Sequence, residues 1–292
     1  MPFATVDRIR TRYEVLGSGP PLLLFSPGGF NATVENWRTF SIYARLNLLE
    51  HLPRQFTCVA FDKRESGQSG GRVERVTWDD YARQGLGVLD ELGIERAHVM
   101  GGCIGCSIAV RAAAAEPGRT LSLVLYSPAG GAAYRQTQLG RFAEHLAFVD
   151  ARGLGAIAEL ARRGTETFAQ DPRVGPWASV LRTNETFAAQ YARLDVREYR
   201  ELVHETAEGL FDRDTVPGVA EELLRTLDVS ALVVPGDDPN HATSAARYLA
   251  VNLPRGEYWD VHPSEQTADN APQRVLEFLS ASSDSPRSSA AI

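Results

Sequence analysis

Cysteine is scarce in this chain: three residues among 292, an odd number that builds no disulfide framework. Long apolar runs are missing too. None approaches the roughly 20 residues that a membrane helix needs, and the opening stretch MPFATVDRIRTRYEV alternates polar and apolar residues without the apolar core of a secretion signal. No block of Lys and Arg stands out. Thirty basic against 37 acidic residues leave a formal charge of 30 − 37 = −7, which argues against nucleic acid or an anionic membrane as partner. There is no H-x-x-H, no P-loop and no nucleotide-binding glycine fingerprint after the first strand, so neither a metal nor an organic cofactor is implied. No internal repeat is visible. These absences lead to the expectation of a soluble cytoplasmic protein that acts on a small molecule.

What is present is length and apolar content, 292 residues of which 43% are hydrophobic, enough for one large domain or one domain with an insertion. Short apolar runs read as strands: PLLLFS (21–26), TCVAFD (57–62), AHVMGG (97–102), LSLVLYSP (121–128), ALVVPGD (231–237) and EYWDV (257–261). They are nearly continuous in apolar residues, as parallel strands covered on both faces should be. Between them lie helical stretches. In TWDDYARQGLGVLDELG, Thr77 can cap the first turn, Asp80 can answer it, and Gly93 stops the helix. Alternation of this kind predicts an α/β domain with right-handed crossovers.

The alternation breaks over 129–228, which carries no convincing strand and holds Phe148, Phe168, Trp177, Phe187, Tyr191 and Phe211. The expectation is a helical cap of those residues over a core of 1–128 and 229–280, inserted after the sixth strand and covering the sheet edge where ligands bind. The Ser-, Ala- and Pro-rich tail from 281 to 292 is expected to be disordered.

The stretch AHVMGGCIGCS raises the question of function. Gly101-Gly102-Cys103-Ile104-Gly105 places a cysteine in the pattern G-x-nucleophile-x-G, with a strand before it and an Ala-rich helix after it. A nucleophile at the tip of such a turn sits in strained backbone, so its neighbours must be nearly free of side chain. The helix that follows aims unpaired N–H groups and its positive end at the thiol, which eases ionisation. The N–H of Ile104 would form half of an oxyanion hole. Cys106, one turn along, makes a C-x-x-C with Cys103, the pattern of a redox dithiol, but packing as a small apolar side chain is the simpler reading. Cys58, within TCVAFD, is core.

With these residues the chain resembles the α/β-hydrolase family over roughly 12 to 280. LLLFSPGGF stands where that family has a strand ending in His-Gly, with Ser26-Pro27 replacing the pair and Gly28 near the second oxyanion donor. DKRESGQSG matches the loop D-x-R-G-x-G-x-S, with Glu65 in place of the first glycine. GDDP (236–239) ends the next strand, where the family keeps its acid. The resemblance implies a mostly parallel sheet flanked by helices and an acid holding a histidine that activates the nucleophile. Asp238 is the first candidate for the acid and Asp237 the second.

The histidine is the departure. The family places it about seven residues before a proline that opens the last helix, and counting back from Pro272 lands on Glu265. Register therefore favours Glu265 as proton carrier, with His262, three residues earlier, as its rival. His241 is a third candidate, on a loop expected beside the acid rather than opposite it. His98 falls at the far end of the elbow strand and reads as structural; His51, His145 and His204 fall on helical stretches. A thiol at a helix start needs a base less than a serine does, but Glu265 and Asp238 beside a thiolate would crowd three negative groups, so one of them should be protonated.

The function expected is attack by Cys103 on a small, largely apolar ester, thioester or lactone, ending in hydrolysis or acyl transfer. Phe30 and Trp177 are candidates for the pocket wall. A non-hydrolytic pocket protein of the same fold, receptor or scaffold, is the alternative, and a redox role would require a Cys103–Cys106 disulfide.

Overall fold

The computed structural model describes residues 2–283; most of the Ser-rich tail, 284–292, lies outside the described residues. Eight strands form one sheet: β1 (Phe3–Val6), β2 (Ile9–Leu16), β3 (Pro21–Phe25), β4 (Thr57–Phe61), β5 (Ala97–Gly102), β6 (Thr120–Tyr126), β7 (Ala231–Val234) and β8 (Gly256–Tyr258). Their order is β1-β2-β4-β3-β5-β6-β7-β8. Strands β4 to β8 and β3 pair in parallel, and only β1 and β2 run antiparallel to their neighbours. The central strands are apolar on both faces because helices cover both: Leu22, Leu23, Leu24, Leu123, Leu125 and Val233 are wholly buried.

Six strands lie where continuous apolar runs predict them. The N-terminal hairpin carries no such signal. Its register, Val6 opposite Ile9, leaves a two-residue turn of Asp7 and Arg8, both at positive φ (48° and 62°). A hairpin turn of that hand usually shows Asn or Gly, and neither is present. The expected last strand, EYWDV, shortens to Gly256–Tyr258 at the sheet edge.

The helix Trp78–Glu91 has the reciprocal cap expected of it: the Asp80 N–H donates to Thr77 Oγ1 and the Thr77 N–H donates to Asp80 Oδ2. Gly85 lets it press on the sheet, since a Cβ there would stand 2.5 Å from the ring of Phe25. Among the described residues no strand lies between Tyr126 and Ala231. That segment is helical instead, led by Ala132–Arg163, which kinks at Gly153 (φ 71°), and Val196–Leu210. Its aromatic residues close on Phe30 from the loop after β3: the rings of Phe142 and Phe168 each lie 5.4 Å from that of Phe30 and 5.0 Å from each other. Two indole donors fasten it to the core, Trp78 Nε1 to the Leu210 carbonyl (3.1 Å) and Trp177 Nε1 to the Arg72 carbonyl (2.8 Å). The helical segment thus roofs the carboxyl ends of β3, β5 and β6. The helix Asn270–Ser283 runs through 281–283, residues expected to belong to the disordered tail.

Candidate active site

Cys103 sits on the turn between β5 and the helix Gly105–Ala115 with φ 55°, a left-handed conformation that costs a side-chain-bearing residue about 1–3 kcal/mol. Its surroundings force that conformation. The Cys103 N–H donates to the Tyr126 carbonyl (3.1 Å), and the Cys103 carbonyl accepts from the N–H groups of Cys106 (3.1 Å) and Ala129 (3.2 Å). A Cβ on Gly101 would meet the Gly105 carbonyl oxygen at 2.2 Å, and one on Gly105 would meet the Phe25 carbonyl oxygen at 2.2 Å. The glycines on either side are therefore what allow β5, its helix and β3 to close around the bend. The result is a cysteine only 7% exposed that nevertheless lines a cavity of about 280 Å³.

Backbone N–H groups of Gly28 and Ile104 reach the Cys103 sulfur. Gly28 takes φ 120°, and a Cβ there would lie 2.1 Å from Asn36 Nδ2. Asn36 is the clamp of this loop: its Nδ2 donates to the carbonyls of Pro27 and Asn31, both at 2.7 Å. Beneath it, buried Asp62 accepts from the Val34 N–H (2.9 Å), the Gln68 N–H (2.9 Å) and Arg12 Nη1 (3.1 Å). The loop with Ser26-Pro27 in place of His-Gly thus still turns a backbone donor toward the sulfur. Glu65, in the place of a family glycine, is left-handed (φ 64°) with its side chain buried.

The imidazole against the sulfur belongs to His241. Its Nδ1 lies 2.8 Å and 3.0 Å from the two carboxylate oxygens of Asp238. The same carboxylate accepts from the N–H groups of Asn240 (2.8 Å) and His241 (3.1 Å), so the turn that begins at Asp238 folds the ring back onto its acid. The other ring nitrogen, Nε2, is buried without a hydrogen-bond partner of its own. The Cys103 sulfur is the group that His241 acts on across this contact. A bridge between Gly130 and His241, with the Gly130 N–H on the Asn240 carbonyl (3.0 Å), ties this loop to the strand end beside the elbow. Gly236 makes the approach possible, since a Cβ there would collide with His241 Cβ at 2.4 Å.

Charge follows from this packing. Burial alone would push the Cys103 thiol up, but the His241 imidazolium and the N–H groups of Gly28 and Ile104 outweigh it and hold the thiol below its ordinary 9.0. Burial pulls His241 down, yet the Cys103 thiolate and the Asp238 carboxylate raise it to about 9. Asp238, with burial raising it and His241 lowering it more, stays below the usual carboxylate value. Each shift favours the charged form of the other group, so the packing favours a thiolate beside an imidazolium flanked by a carboxylate.

The expected proton carriers lie elsewhere. Glu265 is exposed on the loop before the last helix; its N–H donates to the His262 carbonyl (2.8 Å), and it is not among the residues lining the cysteine's cavity. The residue turned inward is the next one: Gln266 is fully buried, accepts from the Tyr126 hydroxyl (2.6 Å) and donates to the carbonyls of Pro235 and Val261. His262 pairs with Asp237 at 2.8 Å, both more than half exposed, on the outer side of the acid loop. Register along the chain therefore pointed to the wrong loop, because this one spends its inward position on a structural amide. The signal that could have found His241 is local: Asp-x-x-His in a turn returns the histidine to the aspartate.

Of the two pocket candidates, Phe30 lines the cavity, whereas Trp177 faces a separate small cavity beyond it and holds Arg72. Cys106 is a buried free thiol that donates to the Gly101 carbonyl (3.1 Å), and burial holds its titration far above the ordinary value. Cys58 is pushed up to about 12 by burial. Two further histidines are internal: His98 between Ser122 and Ser283, and His145 between the Pro172 carbonyl and the Tyr199 hydroxyl, each lowered by burial to about 4. Among the described residues no group of His, Cys, Asp and Glu could hold a metal ion, and no helix is long and apolar enough to cross a membrane.

Residues 21–202 match the α/β hydrolase fold family. A 128-residue stretch is 38% identical to the dihydrolipoyllysine-residue acetyltransferase component of the acetoin cleaving system of Cupriavidus necator, covering 44% of this chain and 32% of that protein. A putative carbamate hydrolase of Azorhizobium caulinodans is 32% identical over 125 residues, 43% of each chain. The chain thus spans less than half the length of these curated relatives. Among solved structures, the enol-lactonase of Burkholderia xenovorans aligns with a TM-score of 0.62 at 20% identity over 96% of this chain and all of that one. An esterase of Thermogutta terrifontis aligns with a TM-score of 0.63 at 21% identity over 96% and 98%. At such identity the likeness is one of fold.

Proposed function

Since this chain belongs to the α/β hydrolase fold family, we propose that it is an acyl-transferring enzyme in which Cys103 is the nucleophile, His241 the proton carrier and Asp238 the residue that orients it. The observation that carries this reading is the convergence on one sulfur, at a left-handed turn, of an imidazole and two backbone N–H groups. The Cys103 thiolate attacks the carbonyl carbon of a small ester, thioester or lactone. The N–H groups of Gly28 and Ile104 take the charge that develops on the carbonyl oxygen. The His241 imidazolium gives its proton to the departing oxygen or sulfur, leaving a thioester on Cys103. Neutral His241 then takes a proton from the incoming water, thiol or amine, which attacks the thioester and releases the Cys103 thiolate. Asp238 keeps the Nδ1 proton in place, so that Nε2 faces the reacting atoms throughout.

Whether water or another acceptor takes the acyl group is set by what enters the cavity after the leaving group departs. The acetyltransferase likeness over part of the chain keeps transfer in view beside hydrolysis. An imidazole facing the sulfur favours the enzyme over a non-hydrolytic pocket protein of the same fold. The test is to incubate the protein with an activated short-chain ester, quench, and weigh the intact chain. An acyl adduct that maps to Cys103 and is lost in Cys103→Ala is expected. Normal ligand binding in both proteins, with no adduct and no burst in either, overturns the reading in favour of a binding protein.

A further inference from the structure

A second chamber adjoins the one that holds Cys103. Gly29, Phe30, Tyr134 and Gln138 line both the chamber that holds Cys103 and a second, smaller one of about 20 Å³. Ile104, the residue after the nucleophile, forms part of the inner wall, and most of the rest is apolar. The one charged lining residue is Lys63.

Lys63 follows β4 and is only 5% exposed. Its Nζ lies 4.1 Å from the ring centre of Tyr81 and 5.3 Å from that of Phe30, and donates one hydrogen bond, to the Arg64 carbonyl (3.2 Å). An ammonium group has three donors. Buried charges are ordinarily paired, yet among the described residues no carboxylate lies within ion-pair distance of this one. The nearby acids are engaged elsewhere: Glu65 pairs with Arg64 at 2.7 Å, and Glu74 pairs with both Arg64 and Arg72. Two aromatic faces supply part of what water would have given, and two donors remain. Burial pulls Lys63 down to about 8, with Glu65 resisting and Arg64 assisting, so the group is still largely cationic at neutral pH.

We propose that the inner chamber receives the far end of the acyl chain and that Lys63 selects acyl chains ending in a carboxylate, the half-thioesters and half-esters of short dicarboxylic acids. The inference rests on the acyl-enzyme reading above and gives it a substrate class. A carboxylate in that chamber would meet a cation already stripped of water, while an apolar chain of equal length would leave the cation unpaired. Gln138, on the wall common to both chambers, can donate to the same carboxylate.

The test compares glutaryl and pentanoyl thioesters of N-acetylcysteamine, which differ at the chain end and share the leaving group. Intact mass of acid-quenched samples against time gives the acylation rate constant and identifies the adduct. In the unmodified protein the glutaryl thioester should acylate Cys103 about 10- to 100-fold faster, the range of one charge-assisted hydrogen bond. Lys63→Met should bring that ratio to one or below, and the succinyl and adipoyl homologues locate the best chain length. A second measurement needs no variant: glutarate should protect Cys103 from iodoacetamide at concentrations where pentanoate does not. Pentanoyl transfer without a glutaryl preference and without selective protection overturns the subsite and leaves the acyl-enzyme reading standing. No adduct from either thioester overturns that reading, and this inference with it.

Discussion

Two aspartate–histidine pairs stand at the carboxyl end of this sheet at the same separation, 2.8 Å, and only one of them meets the Cys103 sulfur. In the loop after β7, Asp238 holds His241, whose side chain is 9% exposed and whose second ring nitrogen is buried on the side of the Cys103 sulfur. In the loop after β8, His262 takes Asp237 from across the gap; both are more than half exposed and the second ring nitrogen binds Ser264. The pair itself is therefore not the informative feature. What distinguishes the two is the partner of the second nitrogen and the water excluded around it. The first loop gains an inward imidazole by folding over Gly236 and bridging to Gly130, while the second turns Gln266 inward to tie β6 to the acid loop.

The comparison can be broken at the histidines. His241→Ala should lower the acylation rate of Cys103 by about 10²- to 10⁴-fold, the range for a positioned acid–base group; His262→Ala should change it less than about twofold. Stopped-flow measurement of the acylation burst reads both, and equal losses would erase the distinction. At the aspartates the contrast should narrow. Asp238→Asn is expected to cost about 10- to 100-fold, below the loss seen when a fully buried acid is removed, because this carboxylate is 46% exposed. Asp237→Asn should cost nothing measurable. Gln266→Ala sharpens the comparison from the other side. Removing an amide that serves two carbonyls and the Tyr126 hydroxyl should destabilise the fold by about 1–3 kcal/mol in a denaturant melt, and the acylation rate of the folded fraction should fall far less than in His241→Ala.

The smallest expected effect is on stability against pH. His241 is raised from 6.5 to about 9, so the stability its proton confers is complete below about pH 6.5 and disappears as pH rises through about 9. Cys103 is lowered from 9.0, so its thiolate contributes above pH 9 and that contribution is lost as pH falls through the folded value. The two overlap between the folded thiol value and about pH 9, where the ion pair exists. Denaturant midpoints across pH should show a component on the alkaline side that His241→Ala removes and His262→Ala keeps.

Much of this arrangement was legible in the residues. The central strands announce themselves as apolar runs because helices cover both faces, and the capping box at Thr77 and Asp80 uses a signature of side chains alone. The elbow was legible because backbone crowding admits only glycine at 101 and 105. Three things were not. The hairpin turn at Asp7-Arg8 has none of the residues that usually mark one. Counting back from Pro272 lands on exposed Glu265, one position from the buried Gln266, and a one-residue change in loop register exchanges inside for outside. Family register places the imidazole at a customary distance from the last helix, whereas the geometry asks only that a ring nitrogen reach the sulfur. A turn starting at the acid meets that demand from the opposite loop. Lys63 was missed for a related reason: a lysine in a charged stretch reads as surface until two aromatic rings are found to enclose it.

The most direct test of the central claim is the rate of Cys103 alkylation by iodoacetamide as a function of pH, followed by intact mass in the unmodified protein, His241→Ala and His262→Ala. The thiolate–imidazolium account predicts a midpoint below 9 in the unmodified protein and in His262→Ala, and one above 9 in His241→Ala, where burial acts on the thiol with its main counterweight gone. A single midpoint shared by all three proteins would contradict it.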